Sequence, residues 1–96
     1  MYEIQWSEQA KAELRQLRAF YRPPILAAIA DLVHQAETET RNRKPLRPGD
    51  DIPPEYPGRT WEIRVGLHRV LYALEAKTAR ILGVRLKGAQ TTGEIL

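Results

Sequence analysis

The chain is 96 residues long with a net charge of +3, which fits one small domain with a single core, burying roughly 60–65% of its unfolded surface. It has no cysteine, so disulfides and thiolate metal sites are excluded, which fits a reducing compartment. No basic-then-apolar leader follows Met1, and the longest apolar stretch, Ile25 to Ala30, is far too short to span a bilayer; the expectation is one cytoplasmic domain over residues 1–96 with no membrane partner.

Tyr2, Ile4 and Trp6 alternate with Glu3 and Gln5, the period of a strand with one apolar side. Ser7 is a helix N-cap and Glu8 suits the positive end of the helix dipole. Ala10, Leu14 and Leu17 then recur at helical spacing, while Lys11, Glu13, Arg15 and Arg18 stay polar. The pattern predicts a first helix to about Phe20 or Tyr21, ended by Pro23 and Pro24. The same prolines can open a second helix, where a missing N–H costs nothing. Its stripe is Ile25, Ala28, Ile29, Leu32, Val33 and Ala36. His34 lies off the stripe and reads as a solvated residue.

Residues 41–58 hold five of the seven prolines and show no periodicity; they read as a basic, proline-rich loop. Arg41, Arg43, Lys44 and Arg47 make it either a solvated connector or a phosphate-contacting arm. Tyr56 is the aromatic in it available to a partner.

Trp61 to Tyr72 splits at Gly66 into two strands. Trp61, Ile63 and Val65 alternate with Thr60, Glu62 and Arg64, and Val70, Tyr72 and Leu74 alternate with Arg69, Leu71 and Ala73. Gly66-Leu67-His68 suits a tight hairpin link. A third strand follows over 79–87, with Leu82, Val84 and Leu86 on one side and Ile81, Gly83, Arg85 and Lys87 on the other. Residues 88–96 read as a frayed tail.

The fold class is therefore α+β: an N-terminal strand, a helical hairpin, then a three-stranded antiparallel meander, with two helices packed on one face of a small, mostly antiparallel sheet. If the continuous apolar sets face the helices, the other face gathers Arg64, Arg69, Arg85 and Lys87, together with Glu62 and Glu75. Charge is segregated along the chain as well: residues 1–40 carry four bases and six acids, and residues 41–96 carry eleven and six. A basic face suggests an anionic partner. Paired against Glu62 or Glu75, Arg64 and Arg69 have a structural reading too. No phosphate-cradling glycine loop or metal-ligand spacing appears, so no cofactor or metal is expected.

The order and spacing of Arg43-Lys44-Pro45-Leu46, Trp61-Glu62-Ile63-Arg64-Val65, His68-Arg69-Val70-Leu71-Tyr72 and Arg80-Ile81-Leu82-Gly83-Val84 with Lys87 resemble the RelE/ParE superfamily, over about residues 2–88. These are toxins of type II toxin–antitoxin systems. The resemblance implies a toxin silenced by a cognate antitoxin. RelE-like members cleave mRNA in the ribosomal A site, whereas ParE-like members inhibit DNA gyrase; an inert, antitoxin-binding member is the third reading. It also implies that Arg69 stabilises phosphate, aided by Arg64 and Lys87, with Arg43, Lys44, Arg47 and Arg85 as further RNA contacts. The family's usual C-terminal Tyr or His is missing after Lys87. His68, whose imidazole exchanges protons near neutral pH, or Glu62 would have to serve as acid or base. Ribosome-bound mRNA is thus the expected target, with DNA gyrase the alternative.

Overall fold

The computed structural model describes residues 1–47 and 60–86. Lys87, Tyr56, most of the proline-rich loop and the tail over 88–96 lie outside the described residues. Five strands form one sheet: β1 (Glu3–Trp6), β2 (Arg43–Pro45), β3 (Thr60–Val65), β4 (His68–Glu75) and β5 (Thr78–Leu86), in the order β1-β5-β4-β3-β2. β1 runs parallel to β5, and all other neighbours are antiparallel. The α+β architecture read from the sequence is the one observed, with helices α1 (Glu8–Gln16), α2 (Arg22–Ala30) and α3 (Leu32–Gln35) between β1 and β2.

One face of the sheet buries Ile63, Val70, Tyr72, Ala79, Ile81 and Val84 against Ala10, Ile25, Ile29, Leu32 and Ala36. Ile25, Ile29, Leu32 and Ala36 are spaced four, three and four apart, one helical stripe, as the sequence predicts. The stripe survives a break at Asp31 between α2 and α3. Trp61 stacks on Tyr72 with centroids 6.0 Å apart, and the Tyr72 hydroxyl donates to the Ala36 carbonyl at 2.8 Å. That bond satisfies a phenol which is otherwise fully enclosed.

Four local features depart from the sequence reading. The first helix stops at Gln16, and Leu17 turns extended at ψ 149°. Arg22 holds that exit, its Nε and Nη2 donating to the Leu17 carbonyl at 3.1 and 2.7 Å. Residues Ala19–Tyr21 form a separate 3₁₀ turn. The proline-rich loop contains a strand, β2, paired in register with β3. The β3–β4 link is two residues, Gly66 and Leu67, because Val65 pairs with His68; Gly66 has φ 59°, as the first position of a type II′ turn needs. Finally, a bulge in β5 opposite Leu71 and Tyr72 inserts Leu82 as an extra residue. The bulge shifts the alternation by one, so Ile81 and Ala79 enter the core in place of the expected Leu82.

α1 follows β1 directly and completes the edge of β5. β1 pairs only as far as Ile81. Beyond that point Ser7 donates through N to the Ile81 carbonyl at 3.0 Å and through Oγ to the Leu82 carbonyl at 3.2 Å. Glu13 Oε1 accepts the Val84 N–H at 2.9 Å. Side chains of α1 thus do what a longer β1 would have done for the exposed ladder groups.

Candidate functional site

Residues directly opposite one another on paired strands share a face. Arg64 pairs with Arg69, and Arg69 with Arg85, so three guanidinium side chains form a row across the three strands of the meander, on the face away from the helices. This is the grouping expected from alternation. Like charges in adjacent cross-strand positions repel, and two carboxylates offset them. Glu62, two residues before Arg64 on β3, places Oε1 at 3.4 Å from Arg64 Nε and Oε2 at 3.2 Å from Arg69 Nη1. Glu13, from α1, places Oε2 at 3.5 Å from Arg85 Nε. Among the described residues, Glu62 and Glu13 are the carboxylates that face these three cations.

The members of the row differ in environment. The Arg64 side chain is 48% exposed and Arg69 only 12%, against 4% for Glu62. Arg69 and Glu62 therefore form a buried pair whose disruption leaves an uncompensated charge. Arg64 is the solvated end of the same unit. Lys44 lies opposite Glu62 on β2 and extends the basic surface sideways. The face is not uniformly basic, since Leu71 and Ala73 on it are buried; the three-arginine row occupies the end near the β3–β4 turn, and Arg80, across from Ala73, lies towards the other end.

Two expected site residues lie elsewhere. Arg43 pairs with Ile63 on β2, which turns it to the helix-covered face, where it is 6% exposed. Its Nη1 donates to Gln35 Oε1 at 3.3 Å and to the Thr38 carbonyl at 3.2 Å. It ties β2 to the end of the helical segment and is not a phosphate contact. His68 is a strand residue rather than a turn residue and shares the helix face with Val70 and Tyr72. It is 4% exposed, with its ring centroid 4.9 Å from that of Tyr21. This placement removes it from the arginine row as acid or base. Glu62, the other candidate base, has each oxygen engaged by an arginine. Arg47 remains exposed and pairs with Glu39 at 3.7 Å.

Tyr72 is the described group whose ionisation is clearly perturbed. Burial pushes its phenol well above the ordinary value, while the Arg43 guanidinium pulls the other way. It is a structural hydroxyl. Among the described residues the arginine face carries neither His nor Tyr, and no cluster of three or more metal-ligating side chains occurs. No helix among them is long and apolar enough to cross a membrane. Glu13 was not foreseen as a partner of the row. The signal available was the length of β5, which a four-residue β1 cannot cover.

The sequence profile of the ParE toxin of type II toxin–antitoxin systems, parDE, matches residues 4–89. Among curated proteins no sequence matches significantly. The fold is similar to that of RelE in the archaeal RelE–RelB complex from Pyrococcus horikoshii, at 18% identity and TM-score 0.71, covering 92% of this chain and 97% of that one. It is also similar to the toxin–antitoxin complex RelBE2 from Mycobacterium tuberculosis, at 27% identity and TM-score 0.59, covering 90% and 98%. The isolated E. coli RelE toxin matches at 17% identity and TM-score 0.65 over the whole of both chains. With the profile spanning nearly the entire sequence, the chain belongs to the ParE toxin family of type II toxin–antitoxin systems.

Proposed function

We propose that this toxin, when free of its antitoxin, cleaves mRNA on the ribosome, and that the Arg64–Arg69–Arg85 row is the surface that receives the phosphate. The observation that carries the reading is the cross-strand register, which sets three guanidinium groups side by side on a rigid sheet. Cleavage of an RNA strand by its own 2′-hydroxyl needs three events. The 2′-oxygen loses a proton and bonds to phosphorus, the P–O5′ bond breaks, and the departing 5′-oxygen takes up a proton. Negative charge on the phosphoryl oxygens grows between the first and last of these. Fixed donors aimed at that charge lower the barrier, because they need no reorganisation as the reaction proceeds.

Arg69 is the central donor: it is the most enclosed of the meander's arginines that touch Glu62, and Glu62 keeps its guanidinium in place. Arg64, more exposed, meets the incoming backbone. Lys44 lies beside Glu62 and extends the track. Glu62 is a positioning group in this scheme, since a carboxylate with both oxygens held by guanidinium groups is poorly placed to take a proton. The test is a translation extract programmed with one defined mRNA, dosed with purified protein and read by primer extension. New 5′ ends that require ribosomes support cleavage. Intact message with unimpaired translation refutes it.

A second reading has its own support. The matching profile is that of ParE, the arginine face holds no His or Tyr among the described residues, and the superfamily's ParE-like members act on DNA gyrase. On that reading the row docks an acidic surface and performs no chemistry. Loss of supercoiling by purified gyrase at stoichiometric toxin, with mRNA left intact, selects it.

A further inference from the structure

The end of the molecule at the β3–β4 turn presents apolar side chains that the core does not use. Phe20 is 82% exposed, Leu67 61% and Leu86 46%. Leu67 sits at the tip of the two-residue turn, where a polar residue would satisfy the backbone equally well. Phe20 sits edge-on to Tyr21, with centroids 5.3 Å apart, and Tyr21 packs on His68. Leu86 is the cross-strand neighbour of His68. Two adjoining depressions of about 330 and 390 Å³ share Tyr21, Leu67 and His68 as a common floor. They make one groove, running from Phe20 past the turn to Leu17 and Leu86. Contiguous apolar surface with an aromatic at its rim is the usual mark of a protein-binding site.

Its charge selects the partner. Arg18 lines the groove, and among the described residues no carboxylate does. Arg15, in the last turn of α1, is exposed just before it. The acids flanking the other end of the sheet, Glu37 and Glu75, are far along the strands from this turn.

From these features we infer that the Phe20–Leu67–Leu86 groove is a docking site for the toxin's own antitoxin, which seats there a short segment of apolar residues flanked by Asp or Glu. The apolar residues of that segment fill the two depressions, and its carboxylates meet Arg18 and Arg15. A site here lies on the opposite side of the sheet from Arg69, so the antitoxin would grip the toxin at a place distinct from the arginine row. Affinity for the antitoxin and activity of the row then become separable by mutation.

The test uses the whole toxin and its cognate antitoxin, with affinity measured by titration. Phe20→Ser should weaken binding at least about tenfold, and Phe20→Ser with Leu67→Ser about a hundredfold, as expected for aromatic and aliphatic anchors. Both side chains are exposed, so thermal melts should match wild type. Arg18→Glu should weaken binding and flatten its dependence on salt. Growth arrest in the absence of antitoxin should persist in all three. Unchanged antitoxin affinity in the double variant overturns the proposal. So does loss of growth arrest with antitoxin affinity intact, which assigns the groove to the cellular target. A wild-type dimer that the double variant abolishes, again with antitoxin affinity intact, assigns it to a second copy of the chain. None of these outcomes depends on whether the toxin cuts mRNA, which the extract assay decides by itself.

Discussion

Two enclosed arginines, one on each face of the sheet, show how differently the same side chain can be used. Arg43 on the helix face donates to uncharged acceptors, the Gln35 amide and the Thr38 carbonyl. Arg69 on the opposite face donates to a carboxylate that is shared with Arg64. The first is a tie between two backbone segments. The second is part of a row of three guanidinium groups on the face away from the helices. Strand parity alone separates them: Arg43 lies across from Ile63, and Arg69 lies across from Arg64. On the proposed reading, the helix face holds the core of the fold and the other face receives the phosphate.

The sharpest way to break that division is to damage the helix face. Leu32 is fully buried in the core, and Leu32→Ala should cost about 2–5 kcal/mol in chemical denaturation. Activity per folded molecule should be unchanged, and a specific loss at constant folded fraction would contradict the separation. On the other face, Glu62→Gln removes one negative charge from beside Arg64 and Arg69. It should lower stability by about 1–3 kcal/mol, yet strengthen binding to a short single-stranded RNA and steepen its salt dependence. Weaker RNA binding by this variant at full folding would mean that positioning by Glu62 outweighs the charge it cancels.

A smaller effect comes from Tyr72. Its phenol is raised above the ordinary 10.0, so between pH 10 and the raised value the unfolded chain has lost a proton that the native protein keeps. The unfolded state then binds fewer protons, and stability falls as pH rises through that window, by at most about 1.4 kcal/mol per pH unit. Tyr72→Phe should flatten that slope. The smallest change is at the β4–β5 turn, where Ala76 has φ 52°, a left-handed conformation that costs a residue with a Cβ about 1–2 kcal/mol. Ala76→Gly should therefore raise the denaturation midpoint slightly, with part of the gain offset by the greater freedom of glycine in the unfolded chain.

Most of the architecture was legible because it follows from period. The helical stripe of Ile25, Ile29, Leu32 and Ala36 and the alternation around Ile63, Val70 and Tyr72 place the two layers and gather Arg64, Arg69 and Arg85. What alternation could not supply was the bulge at Leu82, since an inserted residue leaves no mark in composition. A strand of three residues containing proline, as at Arg43–Pro45, has no period to detect, so the orientation of Arg43 was invisible. His68 was misread for a related reason. Whether a hairpin link has two residues or three shifts the first residue of the next strand from turn to ladder, and Gly66 permits both. The ion pair from Glu13 depends on how far β1 reaches along β5, which is a property of the assembled sheet. Lys87, the remaining expected member of the site, falls outside the described residues.

On the proposed reading the arginine row is the working surface of the toxin. The most direct measurement compares wild type with Arg69→Ala in the ribosome-containing extract, scoring new 5′ ends in a defined mRNA at equal concentrations of folded protein. The account predicts cleavage by wild type and a loss of at least about a hundredfold in the variant, with antitoxin affinity retained. Full-rate cleavage by Arg69→Ala would place the chemistry elsewhere on the molecule and contradict the assignment.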